Sequence, residues 1–228
     1  MQPTLILYGS KARGDARPDS DVDLIYALNG EELQAPTYAN GISVHRYPKL
    51  WLEKQAKRGA LFAYHIAFEG VALEDPEGFL DRLRHTYRPK ASYEEEIVVG
   101  TLVMKLLLET DWESNFEARR RFFWALRTVL IAETADDGSP IFSPALLEAR
   151  SCVRGVADLI DHREEADFAN CRAIGEGILA RYLRPELINL DGEALRGQLM
   201  DRGGIARDSV RILEEGEAIA EAGLAIYG

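Results

Sequence analysis

The stretch Gly9–Leu24 reads GSKARGDARPDSDVDL and decides how the N-terminal part of this chain is organised. The short apolar run Thr4–Tyr8 comes directly before it and is typical of a buried strand that ends at Gly9. A second run, Asp21–Tyr26, alternates at its start and then becomes apolar, which predicts a strand with one end at a site. The stretch therefore predicts a strand, a tight turn with a short helix, and a second strand.

The residue types of this stretch suit a polyphosphate and a divalent cation. Gly9 and Ser10 are small enough for the backbone to approach a ligand closely, and the N–H groups that begin the next helix favour phosphate. Asp21 and Asp23 are two residues apart on the predicted strand, so both carboxylates point to the same face of that strand. Mg²⁺ prefers oxygen ligands and keeps positions open for phosphate oxygens. The plainer alternative is a turn and a strand with solvent-facing aspartates, but the combination of elements is more specific than either part alone.

The rest of the chain divides into an α/β part and a helical part. After the first two strands, period-two alternation predicts a strand over Ile42–Tyr47, helical spacing predicts a helix over Leu50–Glu69, and Val71–Leu73 reads as a last strand. Beyond Pro76 the strand signal nearly disappears and helix-period apolar faces follow, which cover 79–87, 93–112, 116–135, 145–162, 168–183 and 205–226. The sequence thus predicts an α+β protein, with a small mixed-sheet domain over 1–76 and an all-α helical bundle over 77–228.

The charge balance excludes some classes of partner. The chain has 27 Lys and Arg residues against 38 Asp and Glu residues, a net charge of −11. Broad duplex nucleic-acid binding depends on basic side chains that neutralise phosphates, so we do not expect it here. No apolar run is long enough to span a bilayer, and the start lacks the features of a signal peptide, so the expected location is the cytoplasm.

The Gly-Ser and Asp-x-Asp elements make the sequence resemble the DNA polymerase β-like nucleotidyltransferase superfamily. It is most similar to the minimal nucleotidyltransferases and their kanamycin nucleotidyltransferase-like relatives, over residues 4 to about 75. The resemblance implies that Gly9 and Ser10 hold the β- and γ-phosphates of an NTP and that Asp21 and Asp23 bind the divalent metals, Mg²⁺ or Mn²⁺. It also implies transfer of a nucleoside monophosphate to a hydroxyl group, with release of pyrophosphate.

One departure from this family bears on catalysis. The family normally places a third carboxylate on the next strand, between two apolar residues, where it helps to deprotonate the attacking hydroxyl. In this chain that strand carries Ser43 and His45 on the matching face and no acidic residue. A histidine titrates near neutral pH, so His45 is a candidate general base, and the alternative is that it is a surface or packing residue.

These observations leave two classes of function open. The first is an Mg²⁺-dependent nucleotidyltransferase with ATP as the expected NTP, in which Lys11 or Arg13 neutralises charge on the leaving pyrophosphate. Its hydroxyl acceptor is unknown, and a partner protein (as in a toxin–antitoxin pair), an RNA end and a small molecule are all compatible with the sequence. The second is a degenerate module that binds NTP or a partner protein without catalysis, for example an antitoxin-like component.

Overall fold

The computed structural model describes residues 2–30, 32–110, 112 and 115–215. These residues form two compact units, Met1–Ala91 and Ser92–Gly228. The first contains a mixed sheet and the second is helical, which confirms the predicted α+β fold class. The domain limits predicted from the sequence, 1–76 and 77–228, remain a proposal. None of the helices in the described parts of the chain is both long and apolar enough to cross a membrane.

The sheet of the first unit has the strand order β3-β4-β2-β1-β5. Its strands are β1 (Thr4–Tyr8), β2 (Val22–Leu28), β3 (Gln34–Ala39), β4 (Ile42–Pro48) and β5 (Val71–Glu74). Strands β2 and β4 are parallel, and the other neighbouring pairs are antiparallel. The predicted strands at β1, β2, β4 and β5 are therefore present, with β2 central and its first residue directly after Asp21.

Strand β3 is an edge strand that the sequence analysis did not predict. Its sequence, QAPTYA, lacks the alternation of a half-buried strand, and nearly all of its residues are exposed. The signal that marks it is the Asn40–Gly41 pair before β4, because both residues have positive φ angles, 50° and 71°, as a type I′ hairpin turn requires. Pro36 interrupts the strand, and the pairing with β4 shifts between Gln34 and Thr37.

Helices cover one face of this sheet. Ile6, Ile25 and Ala27 on that face are completely buried. Tyr47 of β4 extends the same core, with its ring stacked on Trp51 at a centroid distance of 5.0 Å. This packing of apolar side chains between sheet and helices supplies the main stabilisation of the unit.

The helix predicted over Leu50–Glu69 is broken into three segments. The structure has α2 (Lys49–Lys57), α3 (Leu61–Tyr64) and a π-helical turn (His65–Glu69), followed later by α4 (Phe79–Thr86). The break falls at Gly59, whose φ of +69° disfavours any other residue and whose missing Cβ would lie 2.5 Å from the carbonyl oxygen of Arg88. A close tertiary approach therefore ends α2, and helical periodicity alone does not reveal it.

The second unit is a set of helices around a long central pair. Its helices are α5 (Glu94–Leu108), α6 (Phe116–Asp136), α7 (Pro144–Ser151), α8 (Val156–Asp161), α9 (Phe168–Tyr182), α10 (Gly192–Arg202) and α11 (Gly204–Glu215), with a 3₁₀ turn at Pro185–Leu187. Asn115 and Asp167 cap α6 and α9, because each side chain accepts a backbone N–H from the first turn. Leu102 of α5 and Phe122 of α6 are completely buried.

Two helical predictions in this unit are corrected. The segment 145–162 is two helices, because Cys152 and Gly155 adopt positive φ angles of 56° and 89° between them. The chain between the predicted helices 168–183 and 205–226 also contains a helix, α10. The helix predicted over 205–226 is present as α11 up to Glu215, and its remainder lies outside the described residues.

Asp75 joins the end of the sheet to α4. Its carboxylate accepts the N–H groups of Phe79 and Leu80 at 2.8 and 2.9 Å, and the hydroxyl of Thr4 at 3.0 Å. Partial burial raises the pKa of Asp75, but these hydrogen bonds and the charge of Lys49 outweigh it and hold the pKa below its usual value. The carboxylate therefore stabilises the fold at neutral pH, and this contribution is lost as the pH falls through the depressed pKa.

We expect Asp75→Asn to lower the free energy of unfolding at pH 7 by about 1 kcal/mol, because the amide has one acceptor oxygen for the N–H groups of Phe79 and Leu80 and no charge to attract Lys49. Because the wild-type carboxylate is protonated in acid, the difference should shrink as the pH is lowered. Urea unfolding of the full chain, followed by far-UV circular dichroism at a series of pH values, measures both effects. The control is Asp81→Asn, which removes an exposed carboxylate of α4 that pairs with Arg84. An equal loss in both variants would contradict the role of Asp75 as a cap.

Candidate active site

A row of side chains crosses the sheet where β1 ends and β2 and β4 begin. The register pairs Tyr8 of β1 with Asp23 of β2, and Asp23 with Ser43 of β4. Directly paired residues point to the same side of a sheet, so these three side chains are neighbours on the face that carries Ile25. Ile25 is completely buried and Asp23 is only half-buried, so the row lies at the margin of the core.

The carboxylate of Asp23 is held from two sides. Its Oδ1 accepts a hydrogen bond of 2.7 Å from the hydroxyl of Ser43, which is 4% exposed. Its Oδ2 lies against the backbone of Gly9, where an added Cβ would be only 2.5 Å away. Gly9 also has a φ of +75°, which other residues rarely adopt. The glycine at the end of β1 is therefore needed both for its backbone conformation and for the room that it leaves the carboxylate.

Asp21 lies just before β2, beside the hairpin turn. It is exposed, and its Oδ1 is 3.6 Å from the position that a Cβ on Gly41 would take. The N–H of the next residue, Val22, donates to the carbonyl of Gly41 at 2.8 Å. This hydrogen bond holds the backbone beside Asp21 against the turn. The structure thus places both predicted metal ligands at one end of β2, next to β1 on one side and to the β3–β4 turn on the other.

The donor set at this end of β2 fits a hard cation that also binds phosphate. Two carboxylates supply oxygen ligands and leave most coordination positions to other oxygens, which is how Mg²⁺ is usually bound. Within residues 2–30, 32–110, 112 and 115–215, no group of three or more His, Cys, Asp and Glu residues could hold a metal ion. The residue of β4 directly opposite Asp23 is Ser43.

The turn after β1 forms the short helix α1 (Gly9–Arg13). The carbonyl of Ser10 accepts the N–H groups of Gly14 and Asp15 at 2.9 and 3.2 Å, so the turn is closed by Gly14 at a φ of +83°. Ser10 is half-buried beside Gly9. The ammonium group of Lys11 is 3.5 Å from the carbonyl of Arg17, which directs it along the loop that follows α1.

Arg13 pairs with two acidic groups, Asp15 and Glu69. Its Nη1 is 3.3 Å from Oε2 of Glu69, and its Nε donates to both oxygens of Asp15 at 3.2 Å. The same Oε2 of Glu69 is 2.7 Å from Nδ1 of the buried His65, one turn earlier in the π-helical segment. No motif in the sequence indicates the role of Glu69, because its partner Arg13 is far away in the chain. The local signal for Glu69 is its spacing of four residues from His65.

His45 lies one residue pair deeper in the sheet than Ser43. It is opposite the buried Ile25, and its half-buried ring is surrounded by tyrosines. The ring meets Tyr8 and Tyr38 edge-on, at centroid distances of 6.1 Å in both cases, and lies parallel to Tyr47 at 6.2 Å. His45 therefore lies on the same face of the sheet as Asp23 and also packs in an aromatic cluster. Whether it acts as a general base or as a packing residue stays a prediction.

Comparison with known proteins assigns the sheet-bearing part of the chain. Residues 4–81 match the nucleotidyltransferase domain family. Among solved structures, the chain is similar to a nucleotidyltransferase-like protein from Exiguobacterium sibiricum, with 13% identity over 96% of this chain and 78% of that protein, and a TM-score of 0.34. No curated protein matches the sequence. With the Gly-Ser turn and the Asp-x-Asp strand in these positions, residues 4–81 form a nucleotidyltransferase domain, consistent with the DNA polymerase β-like superfamily.

Proposed function

We propose that this chain is an Mg²⁺-dependent nucleotidyltransferase that moves a nucleoside monophosphate from an NTP to a hydroxyl acceptor. The observation that carries the proposal is the position of the Asp23 carboxylate, held between the Ser43 hydroxyl and the backbone of Gly9. This contact joins the element that suits a metal to the element that suits a triphosphate. A pair of surface aspartates without a function would not require such an approach.

Asp21 and Asp23 would hold the metal ions, either Mg²⁺ or Mn²⁺. When bound, such an ion neutralises charge on the phosphate oxygens and makes the phosphorus easier to attack. Asp23 is oriented by Ser43, so its second oxygen keeps a fixed direction toward Gly9. Asp21 is the more exposed ligand and closes the site on the side of the β3–β4 turn.

Gly9 and Ser10 would bind the β- and γ-phosphates, since they begin α1 directly beside Asp23. Lys11 is the better candidate to balance charge on the leaving pyrophosphate, because the guanidinium of Arg13 already contacts Asp15 and Glu69. Arg13 would then act mainly by fixing α1 against the π-helical segment, and would bind phosphate only by exchanging these partners.

In the proposed reaction the acceptor oxygen bonds to the α-phosphorus while the bond from phosphorus to the pyrophosphate oxygen breaks. The hydroxyl proton must go to a base, and His45 is the candidate that this face of the sheet offers. We propose ATP as the NTP and a cytoplasmic protein, an RNA end or a small molecule as the acceptor. The net charge of −11 disfavours a long RNA, since its phosphates would be repelled.

A second candidate function is a module that binds NTP or a partner protein without catalysis, as an antitoxin-like component would. The observation that favours it is Ser43, which occupies the position directly opposite Asp23 and supplies a hydroxyl rather than a carboxylate. Without a base, the domain would bind NTP and transfer its nucleotide slowly or not at all.

The decisive measurement is transfer of label from ATP, GTP, CTP or UTP carrying ³²P at the α-phosphate, in the presence of Mg²⁺, to components of a cell lysate. We expect Asp21→Asn and Asp23→Asn to lower transfer by about a hundredfold or more, because each removes a negative ligand and several kcal/mol of charge stabilisation. The control is Asp19→Asn, an exposed carboxylate of the same turn that pairs with Arg17. NTP binding by calorimetry with no transfer by the wild type would replace the enzyme with the binding module.

The role of His45 is tested separately from binding. If it is the base, His45→Gln should lower transfer by about 10²- to 10⁴-fold while the Kd for ATP changes little, since general-base catalysis acts on the transfer step. A variant with unchanged transfer and lower thermal stability would show that His45 only packs among the tyrosines.

The contact between Gly9 and Asp23 gives a test of phosphate binding with a matched control. Gly9→Ala and Gly14→Ala both place a side chain at a positive φ, +75° and +83°, and this backbone strain alone should cost each about 1 kcal/mol of stability. Only the Cβ at residue 9 meets Asp23, because nothing lies within 4 Å of a Cβ at residue 14. We therefore expect the Kd for tripolyphosphate with Mg²⁺, measured by calorimetry, to rise in Gly9→Ala and not in Gly14→Ala. Equal affinities would separate Gly9 from the phosphate site.

A further inference from the structure

The guanidinium group of Arg13 is engaged on two sides. Its Nε donates to both carboxylate oxygens of Asp15 at 3.2 Å, and its Nη2 is 3.2 Å from Oδ1 of the same residue. Its Nη1 donates to Oε2 of Glu69 at 3.3 Å. A guanidinium binds phosphate best through two parallel N–H groups, and the edge formed by Nε and Nη2 already faces Asp15. The side chain of Arg13 is only 13% exposed, so little of it is open to a ligand.

Glu69 lies on a segment that other side chains hold in place. It ends the π-helical turn, and its Oε2 is 2.7 Å from Nδ1 of His65, whose side chain is 4% exposed. Arg84 of α4 donates to the carbonyl oxygens of Ala67 and Gly70 at 2.6 and 3.3 Å. These hydrogen bonds fix the backbone on both sides of Glu69. Its carboxylate is therefore a firm partner for Arg13.

The same segment packs on β1, the strand that leads into α1. A Cβ on Gly70 would lie 2.9 Å from Cγ2 of the completely buried Ile6, so the backbone of the segment touches the strand. Tyr8, the last residue of β1, meets the ring of His65 edge-on at a centroid distance of 5.5 Å. The short helix α1 is thus held to the π-helical turn at both ends, by Tyr8 before it and by Arg13 as its last residue.

We propose that Glu69 is a positioning residue of the phosphate site and acts through Arg13, which ties α1 to the π-helical turn and does not itself bind phosphate. The inference rests on the proposed function, because it takes the phosphates to bind at Gly9 and Ser10, the first residues of α1. A turn that is fixed before its ligand arrives loses less conformational freedom on binding. Residues that orient a ligand-binding group usually contribute about 10- to 100-fold to affinity or activity.

The alternative role of Arg13 predicts the opposite result. If Arg13 were a phosphate ligand, Glu69 would compete with the phosphates for its guanidinium, and the negative charge of Glu69 would repel them. Removal of that charge would then tighten phosphate binding. If Glu69 positions α1, the same removal loosens the turn and weakens phosphate binding. The direction of the change in Kd therefore separates the two roles.

The test measures the Kd of tripolyphosphate with Mg²⁺ by calorimetry on the full chain. We expect Glu69→Gln, Arg13→Gln and Arg13→Lys each to raise this Kd by about tenfold. Lysine fails because it keeps the charge but lacks the planar fork that pairs with two carboxylates. The double variant Arg13→Gln/Glu69→Gln should match Arg13→Gln within about twofold, because Glu69 acts only through Arg13.

The control is Glu53→Gln, which removes the same charge from the same domain. The side chain of Glu53 is 21% exposed, against 20% for Glu69, and it pairs with Arg82 at 3.1 Å. We expect the Kd of this variant to equal that of the wild type. Far-UV circular dichroism shows whether each variant is folded. If Glu69→Gln does not fold, Arg13→Lys decides between the two roles, since a phosphate ligand would keep most of its affinity as lysine.

The other outcomes overturn the inference. A lower Kd in Glu69→Gln would make Arg13 a phosphate ligand that Glu69 occupies. An unchanged Kd in Glu69→Gln, or wild-type affinity in Arg13→Lys, would leave their contact without a role in positioning α1. Additive losses in the double variant would show that Glu69 acts by another route. If the wild type does not bind tripolyphosphate, the proposed function itself fails, and the inference fails with it.

Discussion

The close approach of the Asp23 carboxylate to the backbone of Gly9 is the constraint on which the rest of the site depends. It brings the end of β1 and the start of β2 to within van der Waals distance, and it works only because residue 9 has no side chain and accepts a positive φ. Ser43 completes the arrangement from β4 by donating to the other oxygen. A carboxylate fixed from two sides loses little further freedom when it binds a cation, which is the physical meaning of preorganisation.

Much of this arrangement could be predicted from local sequence. The apolar run Thr4–Tyr8 and the Asp-x-Asp strand carry strong patterns. Their antiparallel pairing across the connection 9–21 is seen only in the structure. Strand β3 could not be read from hydrophobicity, because an exposed edge strand has no buried face to impose alternation. The Asn40–Gly41 pair is the sequence signal for this strand, because an Asn-Gly pair favours the positive φ angles of a type I′ hairpin turn.

Other features depend on contacts between distant parts of the chain and were beyond local reading. The break after α2 depends on the carbonyl of Arg88, which occupies the space beside Gly59. The partner of Arg13 is Glu69, on an element that helical periodicity predicted to be part of one continuous helix. The charge of Arg13 is thus largely balanced by acidic groups of the same domain. The presence of basic residues near a glycine turn in the sequence does not reveal this pairing.

The composition of β3 has a consequence for how this domain meets other molecules. An edge strand normally offers its unpaired backbone groups to any passing strand, and exposed edges are common starting points for association between sheets. Pro36 lacks an N–H group, and the ladder to β4 is irregular between Gln34 and Thr37, so this edge is a poor template for strand addition. The border of the candidate site at β3 is therefore poorly suited to pairing with a strand of another molecule.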